Sequence, residues 1–168
     1  DADYIRWAKE VNGVGTVLID TQYEVEHPNW VKLIILDANG QPANDQILAA
    51  VYEHIMAPDN RAEDRLAPIG AILVVEAPTG CSLTIAVTGL ELTDGYTKAE
   101  VVKRFKDRLE EYYIEAKKDA EVRWNQIHAV FTKTEGVEDF ASLTVNGKTE
   151  NIEIAADDYP VTEGVTVE

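Results

Sequence analysis

The chain has 168 residues, 45% of them apolar, with 31 acidic against 15 basic side chains and a net charge of −16. A chain of this length hides about 70% of the surface its unfolded form exposes, so it needs neither disulfide nor metal to fold, and its apolar content argues against disorder. The acidity argues against a nucleic-acid partner, because phosphate binding needs a basic face to release counterions; it is compatible with plain solubility or with docking on a basic protein surface.

The single Cys81 cannot form an internal disulfide and fits a reducing compartment, or one where disulfides are not needed. Set in GCSLTIAV, with no base or helix start beside it, it reads as a small buried residue and not as a reactive thiol. No run of 18 apolar residues occurs and no signal peptide is written at the start, so no membrane partner is expected. The first residue is Asp and not Met, which suggests an excised or processed chain.

In chain order, DYIRWAKEV places Tyr4, Trp7, Ala8 and Val11 at helical spacing, with Asp1 or Asp3 as the cap and Gly13 as the left-handed stop. VGTVLID then predicts a strand. A polar loop follows, and WVKLIILD predicts a strand apolar enough to be covered on both faces. After the turn-rich DANGQPAND comes a helix, QILAAVYEHIM, capped by Asn44 or Asp45, with Ile47, Val51 and Ile55 on one face. APDNRAEDRLAPIG is a charged, proline-bounded loop, and AILVVEA and CSLTIAVTGLEL are two strands around the turn PTG.

The strongest helix signal is TKAE at Thr97 to Glu100, a capping box in which hydroxyl and carboxylate satisfy each other's backbone amides. Val101, Phe105, Leu109, Tyr112 and Ala116 continue down one face; eight bases between Lys98 and Arg123 are interleaved with seven acids, a solvated face with ion pairs. A further helix from about Val122 carries Trp124, Ile127, His128 and Phe131 and stops near Gly136. FASLTVNGKTENIEI predicts a hairpin turning at Asn146-Gly147, with Leu143 and Val145 before the turn and Ile152 and Ile154 after it. DDYPVTEGVTVE predicts one short strand at a sheet edge, where Pro160 is tolerated.

A helix that meets a Gly-Val pair and becomes a strand is written twice. Aligning Gly13 with Gly136 superposes Tyr4 on Ile127, Trp7 on Val130, Ala8 on Phe131 and Val14 on Val137. The expected fold class is α+β: two small α/β subdomains, 1–80 and 81–168, each a helix packed on a β-hairpin or sheet, as a possible internal repeat. Convergence on a common layout is the alternative.

No catalytic, cofactor-binding or metal-ligating residue is assigned. DANGQPAND is not an EF-hand loop, since the twelfth residue from Asp37 is Leu48 and not the bidentate Glu such a loop requires. Asp157 and Asp158 point to opposite faces of a strand. His27, His54 and His128 lie on separate elements without a second ligand at zinc spacing, and His128 reads as a partly buried core residue. NGVG ends a helix instead of starting one, so it is not a phosphate loop, and no nucleophile elbow is present. Trp7 and Trp124 read as core, and of Tyr112 and Tyr113 one is expected outside, where tyrosine favours interfaces.

In order, DYIRWAKEVNGVGTVLI, WVKLIILDANGQPANDQILAAVYEHI, RLAPIGAILVVEAPT, EGVEDFASLTVNGKTENIEI and YPVTEGVTVE resemble the C-terminal portion of the Baseplate J-like family of contractile phage tails and prophages. The resemblance covers nearly the whole chain and lies in the order of the segments; the family's N-terminal portion is lacking here. It implies a non-enzymatic wedge protein of the virion tail baseplate, assembled in the bacterial cytoplasm. The implied partners are other wedge and hub proteins, with self-association in a ring in the full assembly, and it brings no catalytic residue and no cofactor. The isolated chain is expected to be a monomer or weak dimer. An acidic protein-binding adaptor without a ring, and an enzyme with an unrecognised site, are the rival readings. Residues 135–168 hold nine acids and one base, Lys148, and are the expected contact with a basic neighbour.

Overall fold

The computed structural model describes residues 2–168 and is of mixed α+β class, with five helices and four small sheets among them. The chain divides into two compact units, Asp1–Thr79 and Gly80–Glu168.

The first unit runs α1 (Ala2–Lys9), β1 (Val14–Ile19), α2 (Thr21–Glu26), β2 (Trp30–Asp37), α3 (Asp45–Met56) and β3 (Ile72–Glu76). Its sheet has the order β1-β2-β3, with β1 antiparallel and β3 parallel to the central β2. A parallel return needs a long crossover, and here α3 with the following loop supplies it. Tyr4 and Ala8 of α1 and Val51, Ile55 and Met56 of α3 pack with Val17, Leu33, Ile35 and Leu73 of the sheet in one buried core. Each such aliphatic side chain contributes about 1.5–3 kcal/mol on burial.

Both faces of β2 are covered, as its nearly continuous apolar run predicts. The residue next to Leu33 along the strand, Lys32, faces the other way; its ammonium lies 5.1 Å from the centre of the Tyr23 ring of α2 and pairs with Glu76 at 3.1 Å and Asp20 at 3.7 Å. The expected polar loop before β2 is therefore a helix. Asp20 caps α2 by accepting from the Tyr23 amide at 3.1 Å, and Tyr23 also stacks on His27. Six residues leave no room for an apolar period, which is why the helix is silent in the hydrophobic pattern. Asp3, a candidate cap, lies inside α1 and pairs with Arg6; Asp1 lies outside the described residues. Asn44 caps α3, accepting from the Ile47 amide at 2.9 Å.

The second unit runs β4 (Thr79–Thr88), β5 (Glu91–Leu92), α4 (Lys98–Asp119), β6 (Glu121–Val122), α5 (Trp124–Thr132), β7 (Val137–Asp139), β8 (Ser142–Val145), β9 (Ile152–Glu153) and β10 (Asp158–Val167). Its largest sheet is ordered β10-β4-β8, with the pairs β5-β7 and β6-β9 beside it. Leu83, Ile85 and Val87 alternate inward along β4, the period of a half-buried strand. The capping box of α4 forms as written: the Thr97 hydroxyl accepts from the Glu100 amide, and the Glu100 carboxylate accepts from the Thr97 amide at 2.9 Å. The buried stripe of α4 is Val101, Phe105, Leu109, Tyr113 and Ala116. Tyr113, and not the expected Tyr112, belongs to it, because successive steps of four keep to the face that packs on β10.

Three expectations about strands are corrected. β3 and β4 do not pair around PTG; they lie in different sheets and different units. Asn146 and Gly147 both take positive φ, 52° and 76°, and Val145 bridges to Lys148, so the tight turn exists. It does not join a hairpin, however: β8 pairs with β4, and β9 with β6. The last strand is ten residues long, not short, though it does lie at a sheet edge with Pro160 in it. Its start is held by the Lys117 ammonium, which donates to the carbonyls of Ala156 and Asp158, both at 2.7 Å, and of Ala155 at 3.3 Å.

The repeated junction is real at the level of helix and glycine. Gly13 and Gly136 have φ of 92° and 98° and are each followed at once by a strand. The superposed pairs share their burial: Tyr4 with Ile127, and Ala8 with Phe131, are all in the core. The strand pairing differs, since β1 pairs with its sequence neighbour β2 whereas β7 pairs with β5.

Candidate functional site

The three histidines have separate surroundings. His27 stacks on Tyr23 at 4.2 Å, its Nδ1 3.2 Å from the Tyr23 carbonyl. His54 Nε2 lies 2.9 Å from Glu10 Oε2, both side chains substantially exposed. His128 sits between Trp124 and Phe140, with ring centres 5.1 and 5.0 Å away, as a core-side residue of α5. None shares a ring or hydrogen-bond partner with another in these contacts. Among the described residues no three His, Cys, Asp or Glu side chains are grouped to hold a metal, and no helix is long and apolar enough to cross a membrane. The Asp37 carboxylate is used locally, accepting from the amides of Asn39 at 2.8 Å and Gln41 at 3.0 Å, which closes the turn before α3.

The cysteine thiol and the buried phenols are shifted away from reactivity. Burial raises the Cys81 thiol, and the charge of Asp158 raises it further, the opposite of an activated thiolate. Burial pushes the phenols of Tyr113 and Tyr159 far above the usual range. Tyr112 is also raised by burial, although its oxygen accepts from the Arg123 amide at 2.9 Å. Neither member of the Tyr112-Tyr113 pair is therefore exposed as expected; Tyr112 is half-buried.

What the chain offers is surface. In the second unit, eight of the nine acids of residues 135–168 are exposed, Asp158 being half-buried. Lys148 pairs with Glu150 at 3.8 Å. The charges of α4 form the short-range ion pairs their interleaving predicts, Glu115 with Lys118 at 3.1 Å and Asp119 with Arg123 at 3.3 Å.

In the first unit the loop after α3, read from sequence as too charged to pack, is organised by Arg65. Its guanidinium donates to the carbonyls of Ala67 at 3.0 Å, Pro68 at 3.0 Å and Ala71 at 2.9 Å. Ala67 is buried in the core, and Ile69, two residues on, is fully exposed. A cleft of about 600 Å³ lies beside it, lined by Tyr4, Glu24, Trp30, Val31, Pro68 and Ile69, among others. Sequence reasoning placed Glu24 and Ile69 in featureless loops. The Asp20 cap before TQYEVE and the apolar Ile inside Pro-Ile-Gly were the signals available.

Two small α+β units thus present outward-facing charge and a few exposed apolar side chains. The chain belongs to the Baseplate J-like family, and so to the structural components of phage baseplates: the Baseplate J-like central domain matches residues 1–77 and the Baseplate J-like protein C-terminal domain matches residues 83–168. It is 28% identical over 167 residues to the uncharacterized protein YqbT of Bacillus subtilis (strain 168), covering 95% of this chain and 45% of that protein. It is 27% identical over 158 residues to the phage-like element PBSX protein XkdT of the same organism, covering 94% of this chain and 44% of that protein. The chain thus spans less than half the length of the curated relatives it matches. A chain in the cryo-EM structure of the anti-feeding prophage baseplate shares the fold, with a TM-score of 0.50 at 10% identity, over 95% of this chain and 36% of that one.

Proposed function

We propose that the protein carrying this chain is a wedge component of a contractile phage or prophage tail baseplate, built in the bacterial cytoplasm around the central hub and joined to its copies in a ring. The observation that carries this reading is the unbroken succession of two Baseplate J-like domains over residues 1–77 and 83–168. A ring of identical subunits needs a heterologous contact that closes under rotation. Such a contact must also rearrange when the tail contracts, which favours rigid units with polar outer faces. The chain works without a reaction of its own and meets neither nucleic acid nor membrane. Its net charge of −16 supports docking on basic protein surfaces, with the exposed acids of residues 135–168 as the first contact.

Electron microscopy and cross-linking of the full-length protein, co-expressed with the other tail proteins of its element, test the reading. Ring-shaped or wedge-shaped particles containing the protein are expected, and assembly should weaken as salt rises from 50 to about 500 mM because screening lengths shorten. A protein that never enters such particles overturns the reading; salt-independent entry overturns the role of the acidic segment.

A further inference from the structure

The cleft beside Ile69 contains an unusual polar atom. Oε1 of Glu24 is buried and has no hydrogen-bond partner, although Glu24 lines an open cleft. A buried carboxylate oxygen without a donor is costly and calls for an explanation. Arg65 gives three hydrogen bonds to backbone carbonyls, and Lys32 pairs with Asp20 and Glu76. Tyr4, Trp30, Val31 and Pro68 give the lining its aromatic and aliphatic surface, and Asn29 adds a polar side chain. Tyr4 and Glu24 line the same cleft, and the Tyr4 phenol, raised first by burial, feels both the Arg65 and the Glu24 charge.

We propose that this cleft receives a Lys or Arg side chain from a neighbouring protein, its aliphatic stem against Trp30 and Pro68 and its charged head on the orphaned Glu24 carboxylate, with Ile69 as the apolar contact that anchors the approach. Long cationic side chains lie along apolar surface while their heads find a partner, which matches a cleft where the Trp30 and Pro68 surfaces meet the Glu24 acid. The Arg65 clamp holds the loop in place before binding, so little ordering is left to be done on contact. Charge favours another protein over a second copy of this unit as the occupant. Residues 1–79 hold thirteen acids and five bases, a net of −8, and two such surfaces repel. The inference rests on the assembly reading and names the chemistry of one partner in it.

The test places a photo-cross-linking amino acid at Ile69 of the full-length protein, co-expressed with the other tail proteins, and repeats it with Glu24→Gln. Cross-links to a different tail protein, within a few residues of a Lys or Arg, are expected. Glu24→Gln should lower their yield at least tenfold, and Ile69→Asp should lower co-purification comparably, while Glu163→Gln in the second unit leaves both unchanged. The melting temperature of Glu24→Gln should stay level or rise, because the carboxylate oxygen without a donor gives way to an uncharged group; a structural role for Glu24 would instead lower it. Particles that assemble without any cross-link at Ile69, cross-links insensitive to Glu24→Gln, or cross-links only to another copy overturn the cleft but leave the assembly reading standing. Failure of the unaltered protein to enter particles overturns both.

Discussion

The phenol of Tyr113 and the hydroxyl of Thr162 lie 2.7 Å apart and join the long helix α4 to the edge strand β10. Tyr113 is 2% exposed, one of the largest fully buried side chains, so this contact combines aromatic burial with a hydrogen bond. Tyr113→Phe keeps the ring and should cost about 1 kcal/mol, the net worth of one such bond. Tyr113→Ala should cost about 3–5 kcal/mol through the cavity it leaves. The same change at the half-buried Tyr112 should cost clearly less. Urea unfolding followed through Trp124 fluorescence, with Trp7 and Trp30 replaced by Phe, checks the order of the three.

The same tyrosine predicts alkaline behaviour. Burial raises the phenols of Tyr113 and Tyr159 above their ordinary value, so the folded state holds these protons more tightly than the unfolded chain. Stability from this source is complete below about pH 10, the unfolded tyrosine value, and declines as pH rises beyond it. A plot of unfolding midpoint against pH should fall above about pH 10, and more shallowly in Tyr113→Phe/Tyr159→Phe. Equal slopes for the two proteins would show that other groups govern the decline.

Gly136 should tolerate no side chain. Its φ is 98°, and a Cβ there would come within 2.8 Å of the Tyr96 ring and 2.9 Å of Val101 Cγ2. Gly95 has a similar φ of 91° with nothing within 4 Å. Gly95→Ala should therefore cost only the backbone strain, about 1–2 kcal/mol, and Gly136→Ala that amount plus an overpacking cost of about 1–3 kcal/mol. Comparing the two midpoints isolates the packing part.

The Arg65 clamp makes a local prediction. Arg65→Lys keeps the charge but loses the forked geometry that reaches the carbonyls of Ala67, Pro68 and Ala71. Amide hydrogen exchange at Ala71 and Ile72 should quicken about tenfold or more, as local opening becomes easier. Exchange in α4 should not change.

The Tyr112–Tyr113 pair shows how far sequence periodicity reaches. From Leu109 a step of three or of four is equally helical, and both aromatics are good core residues. The chain alone could state that one of them faces inward; only the position of β10 selects Tyr113. Features contained within a few residues were legible: the Thr97–Glu100 capping box and the positive-φ turn at Asn146-Gly147 in full, and the α3 cap to within the pair Asn44 and Asp45, of which Asn44 serves. The helix Thr21–Glu26 was not, because its support is a single Asp20 cap with Tyr23 stacked on His27, and no apolar stripe announces it. Glu24 and Ile69 were equally silent. A carboxylate is written the same way whether water or a closed cleft surrounds it.

Taken alone, the amino-acid order determined the local vocabulary of this protein: the four helices that carry an apolar stripe, the strands rich in apolar residues, the recurrence of helix and left-handed glycine, and the excess of acid. Those properties depend on backbone preferences and side-chain spacing over a turn or two. Tertiary structure decided which strands meet, sending β8 to β4 and β9 to β6 instead of closing the expected hairpin, and it decided which charges lost their solvent. Strand pairing and desolvation are settled by residues far apart in the chain, through hydrogen bonds and excluded water that no short stretch of sequence contains.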